Sequence, residues 1–296
     1  MSTIAIIGGG NIGEALLSGL LRSGRDAKEI AVAERVASRA RYLSETYSVP
    51  VTGVADAVQT ADVVIVAVKP SDVASVTDEI AEAVEQTAQK AADERSREEQ
   101  KADVERVLVT VVAGVSTDYF EAKLPAGVPV IRVMPNAPMV VGAGVSALAK
   151  GRFASQQQLA EVAALFDAVG SVLTVPESQL DAVTAVSGSG PAYFFLMVEA
   201  LVDAGVAVGL SRAVATDLVV QTLAGSAAML LERMQGGSAA SDLDTTPARL
   251  RAAVTSPAGT TAAGLTELER GGFRAAVGAA VAAAKTRAGQ LGITSE

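Results

Sequence analysis

Three stretches of this chain combine residue types and spacings that could do chemistry. Near the start, Gly8-Gly9-Gly10-Asn11-Ile12-Gly13 has the spacing G-x-G-x-x-G. The apolar run Thr3 to Ile7 precedes it, and apolar residues at helical spacing follow it as far as Leu21. Strand, tight turn and helix in that order make a phosphate cradle. Gly8 allows the turn, Gly10 lets a pyrophosphate approach the backbone, and Gly13 lets helix and strand pack closely. The new helix turns free N–H groups and a positive dipole end toward the phosphates. The bland alternative is a tight βα turn with no ligand.

The second stretch is Glu34-Arg35, which ends the apolar run Ile30–Ala33. Glu34 lies 21 residues beyond Gly13, close to where an acid binds the adenosine ribose of NAD. Arg35 could instead face a 2′-phosphate, which favours NADPH with NADH still possible. A solvated ion pair is the third reading.

The third is Thr255-Ser256-Pro257-Ala258-Gly259-Thr260-Thr261, leading into a helical run, Ala262 to Arg270, that Gly271-Gly272 stops. Ser, Gly and Thr ahead of a helix expose several N–H donors beside its positive end, an anion pocket that needs no Arg. In a chain of net charge −9 such a pocket suits a small carboxylate. Its alternative is an N-cap without a ligand.

Composition narrows the chemistry. The chain has no His and no Cys, which removes the common zinc sites, catalytic triads and thiol nucleophiles. No metal is expected, and the reaction must rest on a cofactor or on hydroxyl, carboxylate, Lys and backbone groups. An acidic chain without a basic tract offers no electrostatic footprint for nucleic acid or an anionic membrane. The N-terminus lacks the positive region and long apolar run of a signal peptide. The window Pro191 to Leu210 reaches membrane-spanning length but carries Glu199 and Asp203, so a buried soluble helix is expected. These features together predict a cytoplasmic protein.

The elements that must position the three stretches alternate. Strands are expected at Ile30–Ala33, Asp62–Val68, Val107–Val112, Val128–Met134, Gly142–Ala149 and Ser171–Val175. Helices are expected from about Ala37 to Thr46, after Pro70, from Ser116 through Lys123 and from Ser155 to Val169. The nearly all-apolar strands suit a sheet covered on both faces. This is α/β architecture, a doubly wound parallel sheet. Ala67-Val68-Lys69-Pro70, Ala113-Gly114 and Met134-Pro135-Asn136 follow its strands, where ligands of such sheets sit. Two charged or polar segments, 86–103 as a solvated helical extension and 236–246 as a loop, have no assigned role. From about Glu177 the pattern becomes all-helical, so the domains are read as 1–177 and 178–296. The helix opened by Gly190-Pro191 is apolar on nearly every side and must be buried all round, which calls for a partner subunit.

Ser187-Gly188-Ser189-Gly190-Pro191-Ala192-Tyr193, the loop Thr255–Thr261, Ala67-Val68-Lys69-Pro70 and Gly271-Gly272-Phe273-Arg274 together resemble the pyrroline-5-carboxylate reductase family. The resemblance spans Gly8 to Arg287. It implies a Rossmann domain followed by an all-helical dimerisation domain, with dimers assembling into a higher ring such as a decamer. It also implies reduction of 1-pyrroline-5-carboxylate to L-proline by NADPH or NADH, the last step of proline biosynthesis. By position it would set Ile7, Gly8, Gly9, Gly10, Asn11, Ile12 and Gly13 against the pyrophosphate. Ala67, Val68, Lys69, Pro70, Ala113, Gly114 and Asn136 would line the nicotinamide half. Ser256, Pro257, Ala258, Gly259, Thr260 and Thr261 would hold the substrate carboxylate, with the Thr261 hydroxyl near the ring nitrogen as the catalytic group. The loop reads Ser-Pro-Ala-Gly where the family commonly has Ser-Pro-Gly-Gly. A methyl there is neutral at negative φ and awkward at positive φ.

Two other functions fit parts of the pattern. A β-hydroxyacid dehydrogenase-like oxidoreductase shares the two-domain plan, but would want a Lys on the first helix of its second domain, and Pro191 to Gly205 contains none. A non-catalytic NADP(H)-binding scaffold would leave the Thr255–Thr261 loop without a purpose.

Overall fold

The computed structural model describes residues 2–94, 106–235 and 246–291. Eight strands form one sheet: β1 (Ile4–Ile7), β2 (Ile30–Ala33), β3 (Val51–Thr52), β4 (Val63–Val66), β5 (Val107–Thr110), β6 (Val130–Met134), β7 (Gly144–Lys150) and β8 (Gly170–Thr174). Their spatial order is β3-β2-β1-β4-β5-β6-β7-β8. The first six follow the doubly wound dinucleotide-binding order, in which the chain reverses its direction of travel beside β1.

Alternation along β1 shows how the sheet is filled. Ile4 and Ile6 join a core with Leu16, Leu20, Val32, Ile65 and Phe166, whereas Ala5 and Ile7 join another with Val64, Val66, Ile80 and Phe120. Side chains two apart share a face, so both faces of this strand are dry. The register sets the site. Ile7 pairs with Ala33 on one side and Val66 on the other, so Gly8, Glu34 and Ala67 leave the sheet together at one edge.

The helices that cover the sheet start from local signals. Ser116 accepts from the N–H of Tyr119 and starts Thr117–Lys123. Ser155 and Gln158 form a reciprocal capping box on Gln156–Asp167, a strong start signal. Pro70 opens a 3₁₀ turn, Pro70–Asp72, that runs into the helix Val73–Glu94. The charged extension expected over 86–103 is helical to Glu94, and its remainder lies outside the described residues, as does nearly all of the polar loop 236–246.

Two features depart from the sequence reading. The sheet is not wholly parallel: β7 runs antiparallel to β6, and β8 runs parallel to β7. Only nine residues, 135–143, join β6 to β7, and a parallel crossover needs about a dozen or more. The chain also holds an unforeseen edge strand, β3, and a short helix, Val54–Thr60.

The chain divides into two compact units. One runs to Pro191 and takes back the chain from Ala282; the other is Ala192–Val281. The second is wholly helical among its described residues, with Arg212–Gln235, Thr246–Ala253 and Thr260–Arg270 as its complete helices. The helix Gly190–Ala207, expected to be buried all round, is not covered within one chain. Phe194, Phe195 and Leu196 are 58%, 66% and 66% exposed. The apolar positions were read correctly, but one chain has too little helix to enclose them.

Candidate active site

The glycine turn is built by steric necessity. Gly8 has φ +108°, and a Cβ there would lie 2.6 Å from the carbonyl oxygen of Ala67. At Gly13 a Cβ would lie 2.0 Å from the carbonyl oxygen of Gly8. Strand, turn and helix therefore close on one another only without side chains at these two positions. Gly10 differs: a Cβ there would meet nothing within 4 Å. It is the N-cap of the helix Asn11–Arg22 and supplies no capping side chain. The open space at Gly10 and the uncapped first-turn N–H groups form a cradle that fits a diphosphate.

Charged side chains brace this turn. Glu34 accepts from the N–H of Gly9 at 3.0 Å through Oε2, and from the N–H of Val36 at 2.8 Å through Oε1. Arg39 donates from Nε to the carbonyl of Gly9 at 2.7 Å and pairs through Nη2 with Glu14. Tyr42 and Tyr47 donate to the other oxygen of Glu14 at 3.0 and 2.9 Å. Burial opposes ionisation of Glu14, but hydrogen bonds from Arg39, Tyr47 and Tyr42 outweigh it and hold its carboxyl below the usual glutamate value. Tyr47 is pushed up to about 12, by burial first and then by its bond to that carboxylate.

A cleft of about 450 Å³ opens beside the turn. Of the residues expected at the cofactor, Ile7, Gly8, Gly10, Glu34, Arg35, Ala67, Val68 and Lys69 line it. Gly9, Asn11, Ile12 and Gly13 lie in the adjoining turn and helix start, and Pro70 follows Lys69. Ala113 and Gly114 follow β5 and Asn136 follows β6, farther along the same strand-end edge. The sequence reading missed other residues of its lining, among them Thr52, Gly53, Val54, Asp72, Ser75, Val76 and Glu79. It also missed the brace of Glu14 and Arg39. Glu14 sits in the first turn after the glycines and Arg39 on the helix after β2, and that proximity was the available signal.

Asn136 does more than end a strand. Its Oδ1 accepts from the N–H of Val145 at 2.9 Å, and its Nδ2 donates to the Ser187 hydroxyl at 3.2 Å. Ser187 belongs to a π-helical turn, Thr184–Gly188, an irregularity common at functional positions. The amide thus ties the sheet edge to the Ser187-Gly188-Ser189-Gly190 segment.

The loop Ser256–Thr261 lies in the second unit. The N–H of Gly259 donates to the carbonyl of Ser256 at 3.0 Å, with Pro257 and Ala258 at the corners. Ala258 has φ +58°, so this turn has the Pro-then-left-handed signature of type II. The methyl at Ala258 therefore stands in the awkward conformation. Gly259 is the uncapped N-cap of Thr260–Arg270, and Thr261, one residue into the first turn, is exposed. Ser256, Thr260 and Thr261 thus stand at or just before a helix start whose first-turn N–H groups have no side-chain cap, and N–H and hydroxyl donors of this kind suit a carboxylate.

Comparison with known proteins gives this geometry a family. Residues 177–291 match the family described as pyrroline-5-carboxylate reductase dimerisation, and residues 3–92 match one described as NADP oxidoreductase coenzyme F420-dependent. The first match spans both long apolar helices of the second half. A pyrroline-5-carboxylate reductase of Mycobacterium tuberculosis is 67% identical, covering 100% of this chain and 99% of its own. One from Corynebacterium melassecola is 42% identical, covering 99% of each. A solved pyrroline-5-carboxylate reductase from Coxiella burnetii is similar at 32% identity and a TM-score of 0.84, covering 99% of each chain. Identity of this degree from end to end, on a sheet with a dinucleotide cradle and a helical second half, places the chain in the pyrroline-5-carboxylate reductase family.

Proposed function

We propose that this chain reduces 1-pyrroline-5-carboxylate to L-proline with NAD(P)H, the last step of proline biosynthesis. The observation that carries it is the end-to-end 67% identity to a pyrroline-5-carboxylate reductase. The glycine turn that opens on a cleft of about 450 Å³ supports it.

Reduction of a C=N bond adds a hydride to carbon and a proton to nitrogen. When bound, the nicotinamide supplies the hydride. The chain does the rest. Gly8–Gly13 hold the diphosphate through backbone N–H groups. Ala67–Pro70, Ala113, Gly114 and Asn136 bound the nicotinamide half. Ser256–Thr261 hold the substrate carboxylate, and the Thr261 hydroxyl donates to the ring nitrogen and relays a proton from water. Lys69 follows β4 in the cofactor cleft and serves that side instead. A carboxylate acid would repel the substrate's own carboxylate.

The work divides between residues 1–177, which bind the dinucleotide, and residues 178–296, which dimerise and bind substrate. The chain forms homo-oligomers. We take the unit to be an isologous dimer on the exposed apolar helices, assembling into a higher ring such as a decamer, and the compartment to be the cytoplasm.

The test is purified protein with pyrroline-5-carboxylate and NADPH or NADH, without added metal. Loss of reduced-cofactor absorbance with matching proline is the expected outcome. Activity abolished by EDTA and restored by a divalent ion would contradict a metal-free site. Dinucleotide binding without turnover would leave a scaffold instead.

A further inference from the structure

We infer that Glu34 makes this chain selective for NADH over NADPH, by accepting hydrogen bonds from the adenosine ribose hydroxyls and repelling a 2′-phosphate. The inference rests on the reading of the cleft beside Gly8 as the adenosine side of a dinucleotide site.

Position comes first. Ala33 pairs with Ile7 in the sheet, so Glu34 leaves β2 level with Gly8, and both line the cleft. Thr52, Gly53 and Val54, at the end of β3 and just beyond it, line it too. An acid at this strand end meets the ribose of a dinucleotide whose phosphates lie on the glycine turn.

Orientation comes second. Each carboxylate oxygen of Glu34 takes one backbone N–H, from Gly9 at 3.0 Å and from Val36 at 2.8 Å. A carboxylate has about four acceptor sites, so lone pairs remain for two hydroxyls. The same two bonds stop the group from turning aside. Withdrawal would strip the N–H of Gly9 of its acceptor at the point where the cradle is formed.

Charge comes third. The cleft is lined by Glu34, Asp72 and Glu79 against Arg35 and Lys69. Arg35 is the residue that by sequence could face a 2′-phosphate. Here its Nη2 lies 3.0 and 3.1 Å from the two oxygens of Asp72. That pair is exposed and weakly held, so it does not decide the matter. Glu34 does, because a phosphate on the 2′-oxygen would replace a donor with like charge against a fixed carboxylate.

The test measures dissociation constants for NADH and NADPH by cofactor fluorescence, alongside kcat/KM for each. The parent should bind NADH at least roughly tenfold more tightly, a modest share of the several kcal/mol that like charges at contact distance can cost. Glu34→Ser should weaken NADH far more than NADPH and close that gap. Glu34→Gln removes the charge yet keeps an acceptor for one backbone N–H, so it guards against a folding defect. It should narrow the gap in a protein that still melts cooperatively. A parent that binds NADPH as tightly as NADH would overturn the inference, as would a ratio that neither variant moves. Binding of neither dinucleotide would overturn the reading of the cleft itself, and the inference with it.

Discussion

The guanidinium of Arg39 reaches the carbonyl oxygen of Gly9, 30 residues away in sequence, at 2.7 Å. Gly9 is thereby gripped at both ends, its N–H by Glu34 and its carbonyl by Arg39, while Glu14 holds Arg39 in turn. A turn of three glycines loses more conformational freedom on ordering than any other sequence would. The grip removes that freedom before the cofactor arrives. Arg39→Ala should raise the KM for either dinucleotide by about tenfold, near the value of a hydrogen bond to a charged group. kcat at saturating cofactor should hardly change. Arg39→Lys should rescue only part, because it keeps charge but loses the fork. An unchanged KM in Arg39→Ala would mean that the turn keeps its shape without the brace.

The brace has a pH window. The Glu14 carboxyl is held below its ordinary value of 4.5, so it contributes stability above that pH and loses it as pH falls through the lowered value. Tyr47, pushed up from 10.0 to about 12, contributes fully below pH 10 and less as pH rises toward 12. Urea midpoints measured against pH should therefore fall on the acid side of 4.5. In Glu14→Gln that acid slope should be shallower. Parallel slopes in the two proteins would assign acid sensitivity to other carboxylates.

Ala258 offers a simple gain. Its φ of +58° costs an L-residue about 1–2 kcal/mol, against the roughly 0.5–1 kcal/mol by which glycine's extra unfolded freedom disfavours the replacement. Ala258→Gly should therefore raise stability by about 0.5–1 kcal/mol, read from the urea midpoint at constant m-value. A loss of stability would show that the methyl earns a contact which outweighs its strain.

Thr261 is exposed beside the start of Thr260–Arg270, with its hydroxyl at the positive end of the helix. Thr261→Ala should lower kcat by roughly 10²-fold, the lower range for a positioned proton donor. Thr261→Ser should retain most of the rate. Cofactor affinity should stay the same in both, since the phosphate site proposed above is the glycine turn and not this loop. A kcat within about threefold of the parent, well short of that range, would reduce the hydroxyl to a cap and leave the proton to bound water.

Much of this was readable from residues alone, and the exceptions share a cause. β1, β4 and β5 announce themselves by nearly all-apolar runs dominated by Val and Ile, and Ser116 and Ser155 cap the helices they were expected to start or precede. β3 has two residues and the helix after it seven, too few for either period to show. Strand direction is not written in strand residues at all. For β7 it was written in the short link from Met134 to Gly144. The glycine turn was legible because glycine is a local requirement. Its brace was not, because Arg39 meets Gly9 only after two strands have paired. The pairing of Arg35 with Asp72 was hidden for the same reason, across 37 residues of chain.

The uncovered apolar helices make dilution a denaturing condition. Residues such as Phe195 and Leu196 are about two-thirds exposed in one chain, so a free subunit keeps much of its apolar surface in water and forgoes that share of its stability. Association returns it by mass action, which makes the melting temperature rise with protein concentration. Newly made chains meet the same arithmetic in reverse. Until a copy arrives, this exposed apolar surface is also the surface most prone to stick to anything else.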